Sequence, residues 1–225
     1  AWIQERTGIA RRHLIEEETT SYMAAQAARE ALLQAGIAGE NVDLILVATS
    51  TPDTIFPCVA CEVQKEIGAA NSPGFDLNAA CSGFLFAYQT AQAYIQAGLY
   101  KTILVIGADS MSQVIDWTDR GTCILFGDGA GAVVLRAEAG GVSFHAAHSN
   151  GAGGNVLTGR SRHRKGWEEP KRMEETFLHM DGQQVFKFAV RSVPEIVEEL
   201  LKQAQMKQED IDYFFLSLIH ISEPT

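Results

Sequence analysis

Tyr22 to Ala35 carries apolar residues at helical spacing, and Gly36 supplies a stop just beyond it. Asn41-Val42-Asp43 then leads into Leu44-Ile45-Leu46-Val47-Ala48, an unbroken β-prone run of the kind buried on both faces of a parallel sheet. A helix feeding a buried strand predicts an α/β fold. The alternation continues with a helix over Glu62 to Ile67, a strand over Gly74 to Leu77, a helix over Ser82 to Ala97 and a strand over Thr102 to Ile106. The grammar then changes. Thr122 to Phe126 and Ala132 to Leu135 read as two strands joined by Gly127-Asp128-Gly129-Ala130-Gly131, which predicts an antiparallel hairpin with a glycine-rich turn. Periodicity fails from Asn150 to Glu175, a predicted long loop. Gln184 to Gln205 reads as a helix that Pro194 either kinks or starts late, and Ile211 to Phe215 reads as a last strand.

The two ends of this pattern resemble each other. Ala31-Leu-Leu-Gln-Ala-Gly-Ile37, followed by Glu40-Asn-Val-Asp43, aligns without gaps on Leu200-Leu-Lys-Gln-Ala-Gln-Met206 and Glu209-Asp-Ile-Asp212. Two amphipathic helix-and-strand units can look alike by chance, and a duplicated α/β fold is the sharper reading. On that second reading the first copy is long and the second stops soon after Asp212.

Composition narrows the class. With 46% hydrophobic and 20% charged residues in 225, the chain can bury a core, so global disorder and low-complexity classes fall away. Its 18 basic and 28 acidic side chains give a net charge of −10, which argues against a general nucleic-acid binder. The acidity is uneven: residues 1 to 140 carry 8 basic and 16 acidic side chains, against 10 and 12 in 141 to 225. No apolar run approaches the roughly 20 residues that span a bilayer, so no membrane association is expected. Ala1 to Arg6 holds no apolar signal core, and the sequence reads as starting mid-protein. Four cysteines are too few for a disulfide framework in this length and fit a reducing, cytoplasmic setting.

Cys81 is the strongest candidate for chemistry. It lies between a short strand and a long helix, where backbone N–H groups and the helix dipole favour a thiolate and make a working nucleophile. Ala79, Ala80 and Gly83 leave room for a substrate, although an inert buried thiol has the same sequence signature. Cys58 and Cys61 have the CxxC spacing without a second pair to complete a zinc site, and read as packed core thiols rather than a redox or metal pair. Cys123, in a predicted strand, reads as core. Phe126-Gly-Asp-Gly-Ala-Gly-Ala132 lacks the Gly-Lys-Ser/Thr end of a phosphate loop and reads as a structural turn. His13, His145, His148, His163, His179 and His220 show no metal-binding spacing, with His145 and His148 on opposite faces of a strand-like stretch. No metal or cofactor is expected. Arg160, Arg162, Arg164, Lys165, Lys171 and Arg172 form a basic run, read as a solvated loop or a docking patch for an anionic partner.

With Cys81 in this setting the chain resembles the β-ketoacyl-acyl-carrier-protein synthase III family of the thiolase-like superfamily. The resemblance is carried by Arg6-Thr-Gly-Ile9, Phe56-Pro57, Asn78-Ala-Ala-Cys-Ser-Gly83, Asp119-Arg-Gly-Thr122, Phe126-Gly-Asp-Gly-Ala-Gly131 and Gly182 to Val190. It implies two similar α/β halves packed in αβαβα layers, which agrees with the repeat. It places an N-terminal half with the nucleophile at 1–140, the start of the second half at 141–216, and a tail at 217–225 that matches nothing in the family. It also implies that Cys81 takes a short acyl group from acyl-CoA, a substrate rather than a cofactor, and that malonyl-acyl carrier protein then condenses with it by decarboxylation to initiate fatty-acid synthesis. Trp2 and Arg120 would hold the CoA adenine, with Arg6 near its phosphates. Phe56 would reach the acyl pocket of the second subunit of a homodimer, Gly182 and Phe186 would line the pantetheine tunnel, and Lys187 would meet the carrier protein.

The departures concern the second half. The family's catalytic His-Gln-Ala-Asn motif is absent after Tyr213-Phe214: Ser217 stands in the register of the His, and His220 three residues later is read as a coincidence. The catalytic Asn segment and the glycine-rich segment giving the second oxyanion donor are also absent. The 225 residues are therefore expected to be acylated at most and not to condense. Two other readings remain: another thiolase-like enzyme such as a polyketide starter synthase, and a non-condensing acyl-CoA or carrier-protein binding module.

Overall fold

A computed structural model describes residues 2–159 and 177–215. The basic run from Arg160 to Arg172, Ser217 and His220 lie outside the described residues. The chain divides into two compact units, Ala1–Arg12 with Gln113–Phe126 and Gly141–Thr225, and His13–Ser112 with Gly127–Gly140. Helix α1 (Trp2–Thr7) begins the first of these.

The second unit is a sheet covered on both faces. Helix α2 (Thr20–Ala35) starts where Thr19 Oγ1 accepts the Tyr22 N–H at 3.1 Å and the Asp53 carboxylate accepts the Thr20 and Ser21 N–H groups at 2.8 Å. It stops at Gly36, whose φ of 65° suits a residue without a Cβ. Strand β1 (Leu44–Ala48) follows, then α3 (Val59–Glu66), β2 (Gly74–Leu77), α4 (Gly83–Gln96), β3 (Thr102–Ser110) and β4 (Asp128–Arg136). The sheet order is β2-β1-β3-β4, with β1 parallel to both β2 and β3 and β4 antiparallel to β3.

Both faces of β1 are buried because every residue in it is apolar. Ile45 and Val47, with Leu104 and Ile106, pack under α2 and α3. Leu44, Leu46 and Ala48, with Ile103 and Val105, pack under Ala87 and Ala91 of α4. Each such aliphatic side chain contributes about 1.5–3 kcal/mol of burial free energy. Asp43 sets the register, its Oδ2 accepting the Lys101 and Thr102 N–H groups at 2.9 and 2.8 Å.

The predicted hairpin is corrected. Thr122 to Phe126 forms turns rather than a strand, and the glycine run is itself the start of β4, paired over nine residues from Ser110↔Asp128 to Thr102↔Arg136. The backbone bonds of 122–126 are satisfied elsewhere. The Asp119 carbonyl accepts the Cys123 N–H at 3.0 Å, and the Arg12 guanidinium donates to the carbonyls of Cys123, Ile124 and Phe126. Asp128 ties its own strand down, accepting the Ser112 N–H and the Ile15 N–H at 2.8 Å each.

In the first unit, β5 (Leu157–Thr158) pairs antiparallel with β6 (His179–Met180), and α5 (Gly182–Ala204) follows an Asp181 cap that accepts the Gln184 N–H at 3.1 Å. The helix runs through Pro194, so the proline neither delays its start nor ends it. The last predicted strand is not formed: 211–215 is irregular, and no described strand pairs with it. The stretch around His145 and His148 is likewise not a strand, and His148 Nε2 instead lies 2.6 Å from Glu199.

The two aligned stretches share a backbone path at their helix ends. α2 and α5 both end in a left-handed residue, Gly36 at φ 65° and Gln205 at φ 54°. In both, the next N–H returns five residues, Ile37 to Leu32 and Met206 to Leu201, each at 3.0 Å. A three-residue 3-10 turn follows in register, Gly39–Asn41 and Gln208–Asp210. Among the described residues no helix is long and apolar enough to cross a membrane.

Candidate active site

Cys81 sits in a 3-10 turn, Ala80–Ser82, that runs directly into α4, and it is exposed. The placement is made by the chain on either side. Ala80 has φ 48°, in the left-handed region that costs an alanine of order 1 kcal/mol, so the backbone reverses sharply just before the thiol. Gly83 lets the helix start close to the sheet: a Cβ there would lie 3.1 Å from the Ala48 Cβ.

A polar chain supports the turn. Asn78 Oδ1 accepts the Ala80 N–H at 3.1 Å and the Ser50 hydroxyl at 3.0 Å. Asp109, at the end of β3, accepts from the Ser50 N–H at 2.7 Å, the Thr51 N–H at 3.1 Å and the Thr51 hydroxyl at 2.9 Å. Three strand ends are thereby joined around the residue preceding Cys81. Replacing Asp109 by alanine should lower unfolding free energy by about 2–3 kcal/mol, since it strands several donors to one charged acceptor. Urea denaturation checks this, and an Asp109→Asn variant should recover part of the loss.

Phe56 belongs to the same unit and is almost fully exposed. The other unit holds the residues expected to meet CoA. Trp2 lies under two cations, with the Arg6 guanidinium carbon 5.6 Å and the Arg120 carbon 5.4 Å from its ring centroid. Arg6 reaches it from one helical turn along α1. Beside Arg120, the Asp119 carboxylate closes the turn by accepting the Gly121 N–H at 2.9 Å and the Thr122 hydroxyl at 2.8 Å. A half-exposed indole flanked by guanidinium groups is suited to a flat aromatic ligand carrying negative charge. Upstream in the same segment, the Thr118 hydroxyl and then its N–H hold the Asp116 carboxyl below its ordinary pKa. Gly182 begins α5, and Phe186 and Lys187 are exposed on it.

The other cysteines depart from expectation. Cys123 is half-buried in the turn rather than in a strand, and Cys61 is exposed rather than packed in the core. The Cys58 and Cys61 sulfurs are 3.4 Å apart. The Cys58 contact, then burial, then the negative charges of Cys58, Asp76 and Glu62 push the Cys61 thiol up from its ordinary value. Among the described residues, no group of three or more His, Cys, Asp or Glu is placed to hold a metal.

Asp109, Asn78 as a hydrogen-bond acceptor and Arg12 as an anchor were not legible from composition or spacing. The signal that was available for Asp109 is a carboxylate closing an otherwise buried apolar strand, where polar groups are costly unless used.

Residues 75–164 match the family model of 3-oxoacyl-(acyl-carrier-protein) synthase III. A β-ketoacyl-(acyl-carrier-protein) synthase III from Streptococcus mutans is 43% identical over 222 residues, covering 98% of this chain and 68% of the relative. One from Bacillus cereus is 45% identical over 215 residues, covering 94% of this chain. The chain spans 64% of the length of that Bacillus relative. Among solved structures, the 3-oxoacyl-(acyl-carrier-protein) synthase III of Aquifex aeolicus superposes with a TM-score of 0.84 at 41% identity, covering 93% of this chain and 65% of that one. The enzyme from Thermus thermophilus gives 0.83 at 38% identity, covering 93% and 65%. The fold is thus thiolase-like, and the chain belongs to the β-ketoacyl-(acyl-carrier-protein) synthase III family of acyl-transferring condensing enzymes.

Proposed function

We propose that this chain carries the acyl-accepting half of a β-ketoacyl synthase III that initiates fatty-acid synthesis. The observation that carries the reading is an exposed Cys81 in the 3-10 turn that leads into α4, presented by a left-handed Ala80. The Cys81 thiolate attacks the thioester carbonyl of a short acyl-CoA. The oxyanion that forms is met by the Cys81 backbone N–H, which at the start of a helix has no intrahelical partner required of it. Collapse expels the CoA thiolate, which takes up a proton, and leaves the acyl group on Cys81. In the whole enzyme malonyl-acyl carrier protein then loses CO₂, and its carbanion attacks that thioester and regenerates the Cys81 thiolate.

Trp2, Arg6 and Arg120 bind the nucleotide end of CoA, Gly182 and Phe186 border its pantetheine arm, and Lys187 meets the acidic carrier protein. Phe56 serves the acyl pocket of a second copy in a homodimer. The 225-residue chain lacks a His-Gln-Ala-Asn motif, and on this reading it stops at acylation. Incubation with acetyl-CoA followed by mass spectrometry tests the acylation step. An acetyl adduct on the peptide containing Cys81, with no ketoacyl product from malonyl-acyl carrier protein, is the expected outcome. A ketoacyl product would overturn the second claim.

Trp2→Ala should raise the acetyl-CoA concentration for half-maximal acylation roughly tenfold, since losing a stacked base and its cation contacts costs about 1–3 kcal/mol. The rate at saturating acetyl-CoA should change little. A variant that lowers only the saturating rate would remove Trp2 from the binding role.

A further inference from the structure

We propose that Cys58 and Cys61 form a reversible intramolecular disulfide, a thiol–disulfide exchange site distinct from Cys81. Cys58 is the N-cap of α3 and Cys61 the third residue inside it, with the Cys61 N–H donating to the Cys58 carbonyl at 3.0 Å. Residues three apart in a helical turn share a face, and the two sulfurs already lie 3.4 Å apart. A disulfide needs a separation of about 2.0 Å, within reach of a side-chain rotation. Val59 and Ala60 between them are buried, so the turn is fixed and the two thiols stay mutually available.

Access and chemistry are divided between the two. Cys61 is exposed, whereas Cys58 is half-buried against the core under α2 and α3. An external disulfide therefore meets Cys61 first. The Cys61 thiolate attacks one sulfur of a small-molecule disulfide such as oxidised glutathione, whose other sulfur leaves and takes up a proton. The Cys58 thiolate then attacks the Cys61 sulfur of the mixed disulfide and expels the second small thiol. Two protein thiols lose two electrons and two protons, and one reagent disulfide becomes two thiols.

Asp76 adds to the balance between the two states. Its oxygens accept the Val59 and Ala60 N–H groups at 2.8 Å each, so the donors at the start of α3 serve a carboxylate instead of a thiolate. In strongly oxidising CxxC sites a stabilised thiolate favours the reduced form. Here the Cys58 contact and burial, with the added negative charge of Asp76 and Glu62, disfavour the Cys61 thiolate, which leaves the disulfide as the comparatively favoured state. Closure ties the chain immediately after Phe56-Pro57 to the first turn of α3.

The test uses the 225-residue chain with Cys81→Ser and Cys123→Ser, equilibrated in glutathione buffers, acid-quenched, alkylated and analysed by mass spectrometry. Tryptic peptide 30–65 contains both remaining cysteines. It should lose two hydrogens and both alkylation sites on oxidation, and recover them on reduction. Adding Cys58→Ser should trap glutathione on Cys61. Asp76→Asn should lower the ratio of disulfide to dithiol at fixed buffer composition by about threefold or more. Persistent glutathione adducts with Cys58 present, or covalent dimers in place of the internal bond, would overturn the proposal. If Asp76→Asn unfolds, the trapping comparison alone decides.

Discussion

Cys81→Ala removes acetylation of the chain by acetyl-CoA altogether, and Cys81→Ser lowers it by several orders of magnitude, because a serine hydroxyl is far less nucleophilic than a thiolate without a base beside it. The chain supplies its own control. Cys61 is also exposed, so accessibility alone would label both thiols. What separates them is setting: Asp76 takes the first N–H groups of α3, whereas the turn at Cys81 has only Asn78, a neutral acceptor, in contact with the Ala80 N–H. Mass spectrometry of tryptic peptides should find the acetyl group on the Cys81 peptide and not on peptide 30–65. Equal labelling of the two, or labelling that survives Cys81→Ala, would remove Cys81 as the acyl acceptor.

Leu46→Ala should cost about 2–5 kcal/mol, the range for emptying a fully buried leucine site. Leu46 is the middle residue of β1, completely buried, aligned with Phe75 on one side and Val105 on the other, and packed in the cluster beneath α4. A loss of that size lowers the urea midpoint by about 1–2 M for an ordinary denaturant slope. Leu33→Ala is the matched control: Leu33 is 82% exposed on α2, and its removal should change stability by no more than about 0.5 kcal/mol. The Leu46 cavity also lies two residues from Ala48, the residue that Gly83 approaches, so acylation of Cys81 should slow as the start of α4 loses its support. A midpoint equal to that of the Leu33 variant would mean the sheet is not the stabilising centre of its unit.

The parts of the fold legible in sequence are those that local chemistry decides. β1 announces itself because five consecutive apolar residues admit burial on both faces and little else. α2 and its end were legible because a run of helix formers stops at a glycine that takes a left-handed conformation. Gly127 to Gly131 was misleading for the converse reason. Glycine usually marks a turn, yet β4 is held by backbone pairing to β3, for which side chains are not required. Thr122 to Phe126 has strand-forming residues, but its carbonyls are taken by Arg12, more than a hundred positions away, and no pattern within the segment reports that. Ile211 to Phe215 has the composition of a strand, and composition does not supply a partner.

The site divides in the same way. The turn that holds Cys81 was visible because a strand-to-helix junction is a local arrangement, whereas the grouping of Trp2, Arg6 and Arg120 was suggested only by the family resemblance. The support was not visible. Asp109 reaches back about sixty residues to Ser50 and Thr51, and Ser50 reaches forward to Asn78, so the network exists only after the strands have aligned.

The shared ending of α2 and α5 bears on what the end of a helix requires. One copy places glycine at the left-handed position and the other glutamine, yet the return bond and the 3-10 turn after it coincide residue for residue. The same main-chain path is made with and without the residue that would most simply specify it. Where the residues after a helix keep the return bond and the 3-10 turn, the left-handed position can be filled by glutamine as well as by glycine.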